Sequence, residues 1–173
     1  MNRRWILMLI ALVGVIGTGV TIALNADSQS KTIPLVTTTD ASAKALPVVQ
    51  VYKSASCGCC KDWVKHLEAN GFSVQAHDVD NMLPYKEKAK LGAGMGSCHT
   101  AFVNGYAIEG HVPARDIKRL LLEKPDVSGL TVPRMPIGSP GMEVEGRPAD
   151  AYQVLSYKDG QEVAVFADYP AGQ

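Results

Sequence analysis

A chain of 173 residues has room for one ordinary domain and an appendage, but not for two large domains. Hydrophobic residues make up 46% of it and charged residues 20%, a globular balance that excludes wholesale disorder. Its 17 basic residues are matched by 17 acidic ones, leaving no cationic surplus to hold a phosphate backbone, so nucleic acid is disfavoured as a partner.

Arg3 and Arg4 open a targeting pattern, followed by an uncharged, mostly apolar run from Trp5 to Leu24. That run is longer than the roughly 7–15-residue core of a signal peptide, and at about 1.5 Å per residue it reaches about 30 Å, the thickness of a bilayer core. Residues 1–24 therefore read as a signal peptide or an uncleaved membrane anchor. Either leaves the basic end inside and the rest of the chain outside the cytoplasm. A periplasmic location follows as the expectation, soluble after cleavage or tethered, with the membrane touched only through this segment if it is uncleaved. Residues 25–46 are small and polar without a sustained period and read as a flexible linker. The folded domain is expected over 47–173.

Val48 to Tyr52 is a short apolar run suited to a strand buried on both faces. Cys57-Gly58-Cys59-Cys60 follows, and then Lys61 to Asn70, where Trp63, Val64 and Leu67 share one helical face before the stop at Asn70-Gly71. Phe72 to Val79 alternates at period two, predicting a second strand parallel to the first across the intervening helix. Pro84 to Leu91 reads as a short charged helix, and the glycine-rich stretch 92–97 leads into Cys98-His99. Asn104-Gly105 between Thr100–Val103 and Tyr106–Ile108 is a strong two-residue hairpin signal. Pro113 suits the start of a third helix, Ala114 to Glu123. Beyond it, interleaved prolines and glycines predict an ordered loop over Gly129 to Arg147, and Asp159-Gly160 joins a further hairpin of Tyr152–Tyr157 and Glu162–Phe166. The expected class is α/β, thioredoxin-like (β-α-β-α-β-β-α), with a C-terminal Pro/Gly-rich loop and an extra β-hairpin.

Cys57 and Cys60 form a C-x-x-C pair at the start of a helix, where the dipole and free amides favour thiolate. Such a pair serves redox exchange and metal binding alike. Cys59 separates the two, because an exchanger needs one nucleophile and one resolving thiol, whereas a metal cluster gains from each further sulfur. At the entry to the third strand, where thioredoxin-like oxidoreductases carry a cis-proline, this chain has Cys98-His99-Thr100. The topology therefore predicts four sulfurs and an imidazole facing one another. Several monovalent cations bridged by sulfur would offset the charge of four thiolates, and soft ligands select Cu(I), which favours copper over a zinc module. Two disulfides, and a thiol–disulfide oxidoreductase using Cys57 and Cys60, remain the alternatives.

His111, between the hairpin and Pro113, and the thioethers of Met95, Met135 and Met142 are further candidates for the metal site. Met82 reads as packing, and His66 and His77 as surface residues. Gly92-x-Gly94-x-Gly96 precedes a strand instead of opening a helix after one, which rejects a nucleotide loop.

Taken together, Cys57-Gly58-Cys59-Cys60, Cys98-His99, Phe102-Val103-Asn104-Gly105 with Glu109-Gly110-His111-Val112-Pro113, and Met135-Pro136-Ile137-Gly138-Ser139-Pro140-Gly141-Met142 carry a resemblance. The sequence resembles the CopG-like copper-resistance proteins, a thioredoxin-like periplasmic family, over about Pro47 to Tyr169. The resemblance implies a multinuclear Cu(I)–thiolate cluster held by Cys57, Cys59, Cys60 and Cys98, with His99, His111 and the later methionines as neighbours. It further implies interconversion of Cu(I) and Cu(II) as a candidate activity. Copper ions are the expected partners, with copper efflux or carrier proteins as candidate exchange partners.

Overall fold

The computed structural model describes residues 45–172. The expected signal or anchor segment, and all but the last two residues of the expected linker, lie outside them. Among the described residues no helix is long and apolar enough to cross a membrane.

The chain forms β1 (Val49–Lys53), α1 (Gly58–Ala69), β2 (Val74–Asp78), α2 (Leu83–Lys88), β3 (Thr100–Val103), β4 (Tyr106–Glu109), α3 (Ala114–Glu123), β5 (Gly129–Thr131), β6 (Tyr152–Lys158) and β7 (Gln161–Tyr169). All strands join one mixed sheet in the order β2-β1-β3-β4-β5-β6-β7. β1 runs parallel to β2 and antiparallel to β3, and β4 pairs antiparallel with β3 and parallel with β5. The element order through α3 agrees with the sequence reading.

Several boundaries shift by a few residues, and two of the differences have a clear physical reason. The first helix begins at Gly58, inside the cysteine motif, and not at Lys61, so Cys59 and Cys60 occupy its first turn. The stretch expected as loop from Gly129 opens with β5, which is inserted between β4 and the C-terminal hairpin. Gly129 stands so close to β4 that a Cβ there would lie 1.9 Å from the Ala107 carbonyl oxygen, a contact only glycine permits. Both two-residue hairpins turn as their sequences require: Asn104 and Gly105, like Asp159 and Gly160, have positive φ at both central positions.

The main apolar core joins Val49 and Val51 of β1, Ala101 and Val103 of β3 and Ile108 of β4 to Trp63 and Leu67 of α1 and Ile117 and Leu120 of α3. Strand alternation sends Phe102, Ala107 and Tyr157 to a second cluster with Ala89 and Met95. The sheet is thus covered by α1 and α3 on one side and by the α2 region on the other. Trp63 is fully buried and donates its indole N–H to the Val112 carbonyl at 2.9 Å. That bond ties the helix bearing the cysteines to the segment bearing His111.

Candidate metal centre

The chain leaves β1 through Ser54-Ala55-Ser56, and the Cys57 amide donates to the Ser54 carbonyl at 3.1 Å. Cys57 then sits at the N-cap of α1 in an extended conformation, with no side-chain cap and no acidic residue in the first turn. The cysteine motif thus occupies the start of α1, beside the free amides and the positive dipole end of the helix.

The other half comes from the entry to β3 and the exit of β4. Sγ atoms of Cys57, Cys59, Cys60 and Cys98 all lie within 4.8 Å of one another, and Cys98, His99 and His111 form a second group within the same limit. Cys98 is common to both. Its sulfur is 3.5 Å from that of Cys60 and 4.0 Å from that of Cys59, while Cys57 and Cys59 are 3.6 Å apart. Sulfurs sharing a tetrahedral ion at about 2.3 Å stand about 3.8 Å from one another, so these spacings suit metal bridging. Cys57 and Cys60 are joined by a disulfide with Cα atoms 5.4 Å apart, and Cys59 and Cys98 are free thiols. A site of four thiolates therefore belongs to the reduced chain, in which two electrons and two protons have opened that bridge.

His111 Nδ1 donates to the Pro140 carbonyl at 2.8 Å, which leaves the Nε2 lone pair facing Cys98 Sγ at 3.1 Å. An imidazole fixed through one nitrogen by a carbonyl presents the other as a metal ligand. His99 Nδ1 lies 3.3 Å from the same sulfur, its ring is packed on Trp63, and its Nε2 is buried with no hydrogen-bond partner among the described residues. Burial, and then the nearby His111, holds the His99 imidazole well below its ordinary pKa. His111 is lowered by burial, against the opposing effect of the Pro140 carbonyl. Both rings are consequently neutral donors near neutral pH.

Burial, followed by the adjacent Cys59, pushes the Cys98 thiol up to about 12. Metal must displace its proton, so affinity rises with pH for as long as Cys98 is protonated in the metal-free protein. Each displaced proton contributes about tenfold per pH unit, so Cys98 by itself predicts an increase of at least about tenfold. Chelator competition with Cu(I) at pH 6, 7 and 8 checks this, and a flat profile would refute it.

The other candidates occupy different surroundings. Met95 is buried in the second apolar cluster against Ala89, Ala107 and Tyr157, which gives its side chain a packing role. Met135 is 48% exposed and lines a surface cavity of about 660 Å³ with Arg134, Tyr152 and Asp168. Met142 is half-buried beside Gly141, whose backbone lies against the first turn of α1. His77 is exposed, in keeping with its surface reading, whereas His66 is not simply a surface residue: its Nε2 accepts the Ala114 amide at the start of α3. The sequence motifs contain Pro140, Gly141 and Glu109, but they assign no role to the Pro140 carbonyl, to Gly141, or to the buried Glu109 with its partner Lys86. A buried glutamate leaves no periodic signature, and its role is visible only through its partners.

The family model described as "Protein of unknown function, DUF411" matches residues 95–142, which span Cys98, His99, His111 and the 135–142 loop. Among solved structures, "Copper resistance protein copG- Form 1" is 48% identical, with a TM-score of 0.67, covering 72% of this chain and 98% of that one. "Copper resistance protein copG- Form 2" is also 48% identical, with a TM-score of 0.68, covering 72% of this chain and 99% of that one. No curated protein matches the chain.

Proposed function

We propose that this chain, which belongs to the CopG family of copper-resistance proteins, binds copper through Cys57, Cys59, Cys60 and Cys98 as a multinuclear Cu(I)–thiolate cluster. The observation that carries this reading is the convergence of four sulfurs within 4.8 Å, with the lone pair of His111 directed at one of them. Four thiolates around a single ion leave excess negative charge in a partly buried site, and several Cu(I) ions bridged by sulfur offset it. His99 and His111 complete the donor set, while Met135 and Met142 serve as outlying thioethers.

Cys57 and Cys60, ligands when reduced, close into a disulfide here. Closing it from the two thiols releases two electrons and two protons, enough to reduce two Cu(II) to two Cu(I), and reopening it takes them back, which supports interconversion of the two copper states. The order β2-β1-β3-β4, with α1 following the cysteine loop, supports a thioredoxin-like core extended by β5 to β7. We place the domain over 47–173 in the periplasm, released by cleavage within residues 1–24 or tethered by them through 25–46. There it exchanges copper with efflux or carrier proteins.

Anaerobic titration of the reduced protein with Cu(I) tests the cluster. More than one copper per chain is expected, with the stoichiometry falling in Cys59→Ser. A limit of one copper, or an unchanged Cys59→Ser isotherm, sinks it. The disulfide at the helix start supports a second reading, a thiol–disulfide oxidoreductase using Cys57 and Cys60. That reading requires insulin reduction by the metal-free protein, and a background rate removes it.

A further inference from the structure

We propose that Glu109, held by Lys86, is a positioning residue that sets Cys98 and His99 for metal, an inference that rests on the copper-binding reading above. Glu109 ends β4 directly opposite Thr100 of β3, and its side chain is fully buried. Oε1 accepts the Ser97 amide at 2.6 Å, and Oε2 accepts the Thr100 hydroxyl at 2.6 Å. One carboxylate therefore grips the chain immediately before Cys98 and immediately after His99.

Lys86 closes the arrangement from α2. Its Nζ donates to Glu109 Oε1 at 2.5 Å and to the Ser97 carbonyl at 2.9 Å. Both backbone polar groups of Ser97 are thus held by one ion pair. Gly110 permits the approach, since a Cβ there would lie 2.6 Å from the Ser97 side chain.

A buried carboxylate is unfavourable unless it is paired and hydrogen-bonded; this one is paired with Lys86, and its other partners, the Ser97 amide and the Thr100 hydroxyl, bracket the two donors. Cys98 is free of disulfide and lies on a loop entering a strand, so nothing covalent fixes the direction of its sulfur. The carboxylate supplies that direction through the backbone on either side. Groups that orient metal ligands in this way alter affinity by about 10–100-fold when lost.

The test is anaerobic Cu(I) competition between a chromophoric chelator and reduced wild type, Glu109→Gln, Lys86→Met and Tyr157→Phe, with X-ray absorption at the copper edge of each loaded protein. Tyr157 is the control, because its hydroxyl donates to the Ala89 carbonyl at the end of α2 and makes no hydrogen bond to Glu109 or Ser97. Glu109→Gln is expected to weaken Cu(I) binding about 10–100-fold with an altered sulfur and nitrogen shell, and Lys86→Met by about tenfold. Tyr157→Phe is expected to bind as wild type despite a lower melting temperature.

Equal weakening in Tyr157→Phe would reduce the ion pair to an anchor for α2 and overturn the positioning role. Wild-type affinity in Glu109→Gln, or in Lys86→Met should Glu109→Gln not fold, would overturn it as well. Wild type that takes no Cu(I) overturns the copper reading and this inference together, whereas wild-type binding with unaffected variants overturns this inference alone.

Discussion

Cys98→Ser lowers Cu(I) affinity by about 10²–10³-fold while leaving the protein folded. The magnitude follows from the roughly 10–16 kcal/mol that a four-ligand structural zinc site supplies, which is about 2.5–4 kcal/mol per ligand, at about 1.4 kcal/mol per tenfold. Cys98 is the residue to remove because it alone belongs to both donor groups, the four cysteines and the Cys98–His99–His111 set. A serine hydroxyl is a hard donor that soft Cu(I) discriminates against, and it cannot bridge two ions as a thiolate does. Cys98 is only half-buried, so the isosteric exchange disturbs packing little. Chelator competition reads the affinity and thermal melting reads the fold. Affinity within threefold of wild type would show that the sulfurs of α1 suffice and that the β3 side of the site is not part of it.

Much of the structure that presents Cys98 was legible in the sequence, and what was not has specific causes. Strong local signals succeeded: Asn104-Gly105 dictated a hairpin because both positions adopt positive φ, and Ala114–Glu123 was readable from Pro113 and the spacing of Ile117, Leu120 and Leu121. The cysteine spacing brought its three sulfurs to one helix start, and the antiparallel pairing of β3 with β1, Thr100 opposite Tyr52, puts Cys98 beside them. Three-residue β5 carried no period to detect, since Gly129 is present for close approach to β4 and not for strand propensity. The first turn of α1 was hidden because Gly58 is a poor helix former and the tertiary setting overrides that preference. Met95, a candidate thioether in a glycine loop three residues before Cys98, is folded by that loop into the second apolar cluster, a placement that glycine-rich composition does not foretell. The tautomer of His111 was equally invisible, because it is set by a carbonyl from a loop 29 residues away.

That loop is the subject of the second large effect: Gly141→Ala lowers stability by about 2–5 kcal/mol and weakens Cu(I) binding about tenfold or more. Gly141 has φ +82°, where an L-residue costs about 1–2 kcal/mol. A Cβ built there would lie 2.6 Å from the Trp63 amide nitrogen and 2.8 Å from the Cys59 carbonyl oxygen. These are backbone atoms of α1 and cannot rotate aside, so relief requires the loop to move off the helix, with an overpacking penalty of about 1–3 kcal/mol. The loop is stiff in its own right, with Ser139 fully buried and the Met142 amide donating to the Ser139 carbonyl at 2.7 Å. A shift at Gly141 therefore carries Pro140 with it and withdraws the carbonyl that fixes His111 Nδ1. The imidazole is then free to turn its lone pair away from Cys98, and loss of such an outer partner weakens metal binding by about 10–100-fold. Thermal melting of the metal-free protein should fall by roughly 5–20 °C. Chelator competition, run below that transition, separates the local effect from unfolding. A variant that melts earlier yet binds Cu(I) with wild-type affinity would show that the loop braces α1 without orienting His111.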